Sequence, residues 1–259
     1  MCIDCGCATP GHDHHHHHDE KHGHDHDHRT IRIEEDLLAK NDRLARRNRE
    51  SFAARNLFVL NLVSSPGSGK TSILERTLAD LKDRVCFAVL EGDQQTSNDA
   101  DRIARTGVPV KQINTGAGCH LDAHMIGHGV EAFDLVGTDL LLIENVGNLV
   151  CPAAFDLGED HKVAVLSVTE GEDKPVKYPQ MFQAADLLLI NKIDLLPYLR
   201  FDIEQCKAFA RQVNPRIHIL ELSCQSGEGM EAWYDFLQDG VKKKRDLSVV
   251  RGPLSKHGL

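Results

Sequence analysis

A glycine-rich segment directly after an apolar run constrains this chain more than any other feature. The run 57–63 is followed by 64–71, which reads Ser-Ser-Pro-Gly-Ser-Gly-Lys-Thr, and then by residues typical of a helix. Backbone N–H groups and the helix N-terminus of such a loop point at phosphate oxygens. Ser64 stands where the usual pattern begins with glycine, yet a plain Gly/Ser turn would not explain the lysine. The segment predicts a phosphate-binding loop.

Two residues of this loop have predicted roles in chemistry. Lys70 would reach the β- and γ-phosphates, which makes it a candidate catalytic residue, and Thr71 would hold Mg²⁺. The other residues expected to bind the nucleotide here are Ser65, Gly67, Ser68, Gly69 and Ser72.

Short apolar runs alternate with helical stretches through the rest of the chain. They cover 57–63, 85–90, 140–143, 163–168, 187–190 and 217–222. Continuous rather than alternating hydrophobicity is typical of strands that are covered on both faces, so we expect an α/β fold with a doubly wound, mostly parallel sheet. Ligands of such sheets bind at the carboxyl ends of the strands, where Ser64, Glu91, Glu144 and Asn191 fall.

Two acidic residues near strand ends, Asp93 and Glu144, are candidate catalytic residues and Mg²⁺ ligands. Mg²⁺ prefers oxygen ligands and keeps several waters, so a hydroxyl, one or two carboxylates and the phosphates would suffice. The alternative for each is a helix-capping or exposed turn carboxylate. No side chain stands out as a general base. Since phosphoryl transfer relies mostly on positioning and charge, we expect slow, Mg²⁺-dependent hydrolysis.

A second motif, Asn191-Lys-Ile-Asp194, indicates which base is bound. Asp194 can accept hydrogen bonds from N1–H and the 2-amino group of guanine, whereas adenine would leave the carboxylate unpaired. Asn191 can complement the purine's Hoogsteen edge, and the Lys192 stem can cover the base. A third base-facing loop is expected at Ser223 and Cys224. A surface turn is the alternative when this motif stands alone, but together with the phosphate loop it predicts GTP and GDP as ligands.

Composition divides the chain into a core and appendages. With 259 residues, 41% of them hydrophobic, one domain is expected over 57–240, preceded by a charged helix or linker at 30–56 and followed by a charged tail at 241–259. Residues 1–29 contain ten histidines and few large apolar side chains, which predicts a disordered metal-binding tail. A net charge of −9 predicts no nucleic-acid partner. Without an apolar membrane span or secretory signal, a cytoplasmic protein is expected.

The N-terminal tail carries two groups of metal-binding residues. Cys2, Cys5 and Cys7, with the terminal amine, offer four donors that suit square-planar Ni²⁺ or tetrahedral Zn²⁺, the alternative being a redox-active thiol pair. A run of imidazoles follows, which predicts a nickel or zinc store unless it is a purification tag. Its uninterrupted part consists of His14, His15, His16, His17 and His18.

A second metal site is predicted inside the domain. Cys119 and His120 open a predicted helix, and Cys151 precedes a proline. The two thiols and the imidazole of these residues can bind Ni²⁺ or Zn²⁺ in a site completed across a two-fold interface. Buried cysteines that act as small apolar side chains are the alternative. Cys151 lies seven positions after Glu144, which suggests that GTP binding moves this segment and changes metal affinity. Among the other potential metal ligands, Cys86 and Cys206 are expected in the core, and His124 and His128 are expected on the surface.

These motifs together closely resemble the HypB family, GTPases that insert nickel during [NiFe]-hydrogenase maturation. The resemblance covers nearly the whole chain, and the loop with Ser64 agrees with the family's own pattern. The segments that carry it are 2–7, the His-rich tract, 63–71, 91–96, 114–122, 144–152 and 191–194. The Cys-His segment within 114–122 and the Val-Cys-Pro segment within 144–152 distinguish this family from generic GTPases.

The resemblance implies a nickel metallochaperone of the SIMIBI type that forms a homodimer promoted by GTP and metal. It implies an internal metal site at Cys119, His120 and Cys151, and a nickel site at the N-terminal cysteines. The implied partners are the zinc-bearing accessory protein HypA and the hydrogenase large subunit. The alternative function is a regulatory P-loop GTPase with an independent metal-storage tail. Cys224 stands where many GTPases carry alanine.

Overall fold

The computed structural model describes residues 23–93, 98–116 and 118–251, and side chains between 35 and 247 within these ranges. Residues 1–22 lie outside the described part, and with them the predicted metal ligands Cys2, Cys5, Cys7 and His14 to His18. Within the described ranges, no helix combines the length and the apolar character that crossing a membrane requires.

One parallel sheet forms the centre of the domain. Its seven described strands lie in the order β3-β2-β4-β1-β5-β6-β7. The strands are β1 (Phe58–Ser64), β2 (Phe87–Asp93), β3 (Val110–Asn114), β4 (Leu140–Gly147), β5 (His161–Ser167), β6 (Leu187–Asn191) and β7 (His218–Leu222). The predicted doubly wound sheet is confirmed, although β3 was not among the predicted strands. Because all strands run in the same direction, their carboxyl ends form one edge.

Helices cover both faces of this sheet. They are α1 (Gly23–Ala54), α2 (Lys70–Leu81), α3 (Asn98–Ala104), α4 (Ala123–Glu131), α5 (Lys174–Lys177), α6 (Pro179–Ala184), α7 (Ile203–Val213) and α8 (Met230–Arg251). Two 3₁₀ turns, Cys151–Ala153 and Ile193–Tyr198, follow β4 and β6. The predicted helix at Cys119 begins only at Ala123, because Asp122 caps it by accepting a hydrogen bond from Met125 N at 2.8 Å.

The core is built on the alternation of side chains along β1. Phe58, Leu60 and Leu62 pack on one face with residues of α2 and α8, while Val59 and Val63 pack on the other face, against two further clusters. All five side chains are buried, with at most 3% of any of them exposed. Burial on both faces explains why the run is apolar apart from Asn61, whose buried side chain donates a hydrogen bond to Glu159 Oε1.

The charged helix α1 is docked on the domain by two buried asparagines. Asn48 Nδ2 donates to Ala123 O at 2.8 Å and to Leu157 O at 3.0 Å. Asn41 Oδ1 accepts from Ala123 N at 2.9 Å. Starting at Gly23, the helix takes in residues that the sequence assigns to the disordered tail. These contacts tie α1 to the N-terminus of α4.

Two further predictions concern the domain boundary at residue 240 and the burial of Cys86 and Cys206. Helix α8 continues past residue 240, where the sequence places a charged tail, with Val241 buried and Lys244 Nζ 2.6 Å from Asp160 Oδ1. Cys206 is fully buried in α7, as expected. The prediction for Cys86 was wrong, since this residue is exposed just before β2.

Candidate functional site

The phosphate-loop segment joins the carboxyl end of β1 to the first residue of α2, Lys70. Two loop glycines adopt positive φ angles, 78° at Gly67 and 97° at Gly69, a conformation that side chains disfavour. A Cβ atom at Gly69 would also lie 2.5 Å from Asn191 Nδ2. Glycine is therefore required at this position both by the backbone conformation and by the close approach of the Asn191 side chain.

Lys70 is buried inside this loop rather than extended into solvent. Its Nζ atom donates a hydrogen bond of 2.7 Å to Ser64 Oγ, and 8% of the residue is exposed. Desolvation lowers the pKa of Lys70, and the negative charge of Glu144 opposes that shift. A desolvated ammonium group at the mouth of a phosphate loop favours an anionic ligand.

Two glutamates face this lysine from neighbouring strands. Glu91 on β2 and Glu144 on β4 are register partners, and both are almost completely buried. Glu144 Oε1 accepts a hydrogen bond from Thr71 Oγ1 at 2.6 Å, but among the described residues Oε2 of each glutamate is buried without a hydrogen-bond partner. Desolvation raises the pKa of Glu144 to about 7 and, together with the charge of Glu144, raises the pKa of Glu91 to about 8.

These residues fit the requirements of a magnesium site. The donor set of a hydroxyl and carboxylates consists of oxygen atoms, the ligand type that Mg²⁺ prefers. The predicted ligands Thr71, Asp93 and Glu144 all line one cleft. A cation there would compensate the buried oxygens Glu144 Oε2 and Glu91 Oε2, which no donor in the described part of the chain satisfies. Glu91 was not predicted as a site residue; its place at the end of an apolar strand was the only signal.

The cleft in front of the loop has a volume of about 500 Å³. Its lining includes Asp99 and Arg102 of α3, which sequence reasoning missed. Arg102 is held by a salt bridge to Glu75 and by a 3.2 Å hydrogen bond from Nη2 to Ser72 Oγ. It thus places a guanidinium group beside the loop, fixed by α2.

The predicted base-recognition segment lies against the loop. Asn191 Nδ2 donates to Ser68 O at 2.9 Å, and Lys192 Nζ donates to Gly67 O at 2.7 Å. Asp194 Oδ1 accepts from Ser223 Oγ at 2.5 Å, so the loop after β7 orients this carboxylate. The predicted Cys224 follows Ser223 and is half-buried.

The raised pKa of Glu144 gives a testable pH dependence. The pKa of this carboxyl is higher in the folded chain than the ordinary glutamate pKa of 4.5. Its contribution to the stability of the fold is therefore complete below pH 4.5 and is lost as the pH rises through about 7. We expect the melting temperature of the nucleotide-free, magnesium-free protein to fall over this range relative to that of Glu144→Gln. The exposed residue Glu231 supplies the control variant Glu231→Gln, which should follow the wild type. Parallel pH profiles for wild type and Glu144→Gln would contradict the assignment.

Cys119, His120 and Cys151 form a second cluster. One ligand atom of each residue lies within 4.8 Å of the others, and the two Sγ atoms are 2.9 Å apart. His120 Nδ1 lies 3.7 Å from Cys119 Sγ, and its ring packs on Phe155. Burial lowers the pKa of His120, which favours the neutral imidazole that binds metals. The predicted grouping is therefore present in one chain.

One segment carries both Glu144 and Cys151 and also holds the loop of Cys119. Asn145 Oδ1 accepts a hydrogen bond of 3.0 Å from Leu121 N, and Asn148 Nδ2 donates to Cys119 O at 3.4 Å. Both thiols are thus supported by the residues that follow the buried carboxylate of β4. These two asparagines were not predicted from the sequence.

Comparison with known proteins identifies the family. The family model for the CobW/HypB/UreG nucleotide-binding domain matches residues 58–221. The chain is 62% identical to hydrogenase maturation factor HypB of Azotobacter vinelandii over 86% of this chain and 74% of that protein. The chain belongs to the HypB family of hydrogenase maturation factors. Its identity to Escherichia coli K12 HypB is 64%, over 81% of this chain and 72% of that protein.

A solved HypB structure has the same fold. The structure of Helicobacter pylori HypB in complex with nickel matches with a TM-score of 0.75 and 42% identity, over 85% of this chain and 100% of that chain. The resemblance seen in the sequence is confirmed, as is the P-loop domain that it implied. The HypB family thus supplies the context in which the cleft and the cysteine cluster are interpreted.

Proposed function

We propose that the chain is a GTP-hydrolysing nickel metallochaperone that stores nickel and delivers it to the [NiFe]-hydrogenase large subunit. The observation that carries this proposal is that the segment 144–151 belongs to both sites. It begins at a carboxylate hydrogen-bonded to Thr71 of the phosphate loop and ends at a thiol of the cysteine cluster.

Guanine is the base that the recognition segment suits. The Asp194 carboxylate, oriented by Ser223, can accept from two neighbouring N–H groups, which guanine presents and adenine does not. Asn191 and Lys192 are fixed against backbone carbonyls of the phosphate loop. Direct hydrogen bonds therefore join the proposed base-recognition segment to the phosphate loop.

Hydrolysis rests on charge placed around the phosphates. Lys70 supplies a buried positive charge, and Thr71, Asp93 and Glu144 would hold Mg²⁺. When bound, Mg²⁺ would neutralise negative charge on the phosphate oxygens. Lys70 Nζ donates a hydrogen bond to Ser64 Oγ that an incoming phosphate can replace, since a charged acceptor binds an ammonium group more strongly than a hydroxyl does.

Nickel is the proposed cargo of the cysteine cluster. Two thiolates and a neutral imidazole suit borderline divalent metals, so Zn²⁺ is a competing occupant. The Helicobacter pylori relative was solved in complex with nickel. Three ligands from one chain leave a tetrahedral or square-planar ion one donor short, which fits completion by a second copy in a GTP-dependent homodimer.

Further parts of the proposal concern the tail and the partners. The cysteines and histidines of residues 1–29 would store nickel. HypA and the hydrogenase large subunit are the proposed partners in transfer, and the cytoplasm is the proposed location. The alternative, a regulatory GTPase with an independent metal store, differs in requiring no communication between nucleotide and cluster.

A nickel titration of the full chain carrying Cys2→Ser, Cys5→Ser and Cys7→Ser tests this communication. Thiolate-to-nickel absorption reports cysteine ligands and is insensitive to the histidine tract. We expect the cluster's nickel affinity to differ between GDP and a non-hydrolysable GTP analogue by at least about fivefold, the lower range of typical coupling. Adding Cys151→Ala should lower the affinity at least about tenfold.

The exposed Cys86 offers the matched control, because Cys86→Ser removes a thiol outside the cluster. That variant should keep both the affinity and its dependence on nucleotide. Equal nickel affinity in the two nucleotide states would refute coupled delivery and favour the regulatory GTPase with an independent store.

A further inference from the structure

A buried lysine supports the turn that carries Cys151. Lys162, the second residue of β5, is buried, with 6% of the residue exposed. Its Nζ atom donates hydrogen bonds to Pro152 O at 2.9 Å, to Phe155 O at 3.0 Å and to Ala153 O at 3.3 Å. An ammonium group has three N–H donors, so three carbonyls of one short segment can take all of them. Lys162 thereby fixes the backbone that follows Cys151.

The same lysine is connected to the imidazole of the cluster. The ring of His120 packs on the ring of Phe155, with the centroids 4.0 Å apart. Because the carbonyl of Phe155 accepts a hydrogen bond from Lys162, this lysine also fixes the residue against which His120 lies. Two of the three cluster ligands are therefore supported from one ammonium group.

A carboxylate beside Lys162 continues this connection. Glu159 Oε1 lies 3.9 Å from Lys162 Nζ and accepts a hydrogen bond of 3.1 Å from Asn61 Nδ2. Glu159 Oε2 accepts from Leu157 N at 2.6 Å. Burial lowers the pKa of Lys162, and the negative charge of Glu159 opposes that shift. Each of the two buried groups thus has an opposite charge nearby and hydrogen bonds of its own.

Two asparagines lead from this carboxylate to the loop of the other ligands. Asn61 Oδ1 accepts from Asn145 Nδ2 at 3.2 Å, and Asn145 Oδ1 accepts from Leu121 N at 3.0 Å. Leu121 directly follows His120. Asn61 is fully buried within the apolar run 57–63, where an amide costs free energy unless its polar atoms are paired. Its place in this connection accounts for a polar residue at that position.

Four side chains therefore form one chain of polar contacts between the two loops of the cluster. We call them the buried tetrad: Asn61, Asn145, Glu159 and Lys162. We propose that the buried tetrad holds the three cluster ligands at metal-binding distance and that Lys162 and Glu159 are its positioning residues. Residues that orient metal ligands without binding the ion contribute about 10- to 100-fold to metal affinity. The inference rests on the proposed metal binding by the cluster, and neither GTP hydrolysis nor delivery to a partner is needed for it.

The alternative is a role of the buried tetrad in the fold alone. A satisfied network of buried polar groups makes the structure more rigid whether or not a metal binds nearby. The two roles differ in what they change. A purely structural network alters the free energy of unfolding and leaves the nickel affinity of the folded protein unchanged, whereas a positioning network alters that affinity.

Nickel titration of the full chain carrying Cys2→Ser, Cys5→Ser and Cys7→Ser, the background chain, tests the positioning role. Thiolate-to-nickel absorption reports the affinity of the cluster. Adding Lys162→Met should lower this affinity at least about tenfold, because the turn after Cys151 loses the donor of three carbonyls. Circular dichroism and thermal melting without nickel check the fold. Lys244→Met is the matched control, since it removes a lysine paired with Asp160 on another element and should leave nickel affinity unchanged.

A paired variant covers the case in which Lys162→Met fails to fold with Glu159 left buried and unpaired. Lys162→Met combined with Glu159→Gln removes both charges, and neutral replacement of a whole buried ion pair is often tolerated. This variant should show the same loss of nickel affinity. Asn61→Val interrupts the other arm and should also weaken nickel binding. Combining it with Lys162→Met should cost less than the product of the two separate losses, because the residues act in one network.

The outcomes separate this inference from the proposed function. Folded Lys162→Met and paired variants that bind nickel as tightly as the background chain would overturn the positioning role and leave the metal site standing. Losses that multiply in the combined Asn61→Val variant would overturn a shared network. A background chain without a thiolate-to-nickel band, or with a band that survives Cys151→Ala, would refute the proposed cargo site itself, and this inference with it.

Discussion

Lys70→Ala is expected to lower the rate of GTP hydrolysis by about 10²- to 10³-fold, the usual effect of removing one preorganised charge donor from a reaction centre. Lys70 is positioned at the first residue of α2, and its ammonium group is already desolvated in the nucleotide-free chain. It therefore needs little reorganisation before it meets developing charge on the phosphates.

The same substitution should have little effect on the fold. Removing Lys70 relieves the desolvation that lowers its pKa, and Glu144, whose pKa is raised to about 7, can take up a proton in place of the lost counter-charge. Steady-state phosphate release measures the rate, and thermal melting without nucleotide checks the fold. Lys82→Ala, at the exposed end of the same helix, is the control. More than a tenth of the wild-type rate in Lys70→Ala would contradict the assigned role.

Asp194→Asn is expected to weaken GTP binding by roughly a hundredfold, because it removes a charged acceptor for two N–H groups of guanine and places an amide N–H against the 2-amino group. Xanthine carries a carbonyl at that position and keeps N1–H. The asparagine can donate to the first and accept from the second, so xanthosine triphosphate should bind the variant better than GTP.

Competition against a fluorescent guanine nucleotide measures both affinities. Asp235→Asn on α8 changes an exposed carboxylate of the same type outside the phosphate-loop cleft and should bind GTP as the wild type does. An Asp194→Asn variant that binds GTP normally would show that the segment after β6 does not recognise the base, and the choice of guanine would then need another origin.

Strands were predictable where the sheet buries them on both faces. The runs in β1, β4, β5 and β6 are predominantly apolar because helices cover both sides, and that pattern is visible without a structure. The edge strand β3 was missed, since its half-exposed sequence Val-Lys-Gln-Ile-Asn has no such run. Parallel pairing with β2 holds this segment in a strand conformation, which its amino-acid composition does not indicate.

Helix α1 shows what periodicity alone leaves out. Its sparse apolar residues predict a helix but not its partner. The partner is decided by buried contacts: Phe52 packs into an apolar cluster of the domain, and Asn41 and Asn48 satisfy backbone groups of Ala123 and Leu157. From the sequence alone, a polar side chain is expected to be exposed to solvent. It is buried in a helix contact only where the fold brings a carbonyl or N–H group from a distant part of the chain within hydrogen-bonding distance.

The candidate nucleotide-binding segments and candidate metal ligands could be predicted from residue order, because each motif depends on its own local backbone and side-chain chemistry. A phosphate loop needs only neighbouring glycines, a lysine and a helix start. Tertiary structure decided which motifs meet. The register of β2 against β4 places Glu91 beside Glu144, and the turn after β4 brings Cys151 within 2.9 Å of Cys119. These contacts depend on strand order and crossover connections, which arise from packing among residues far apart in the chain.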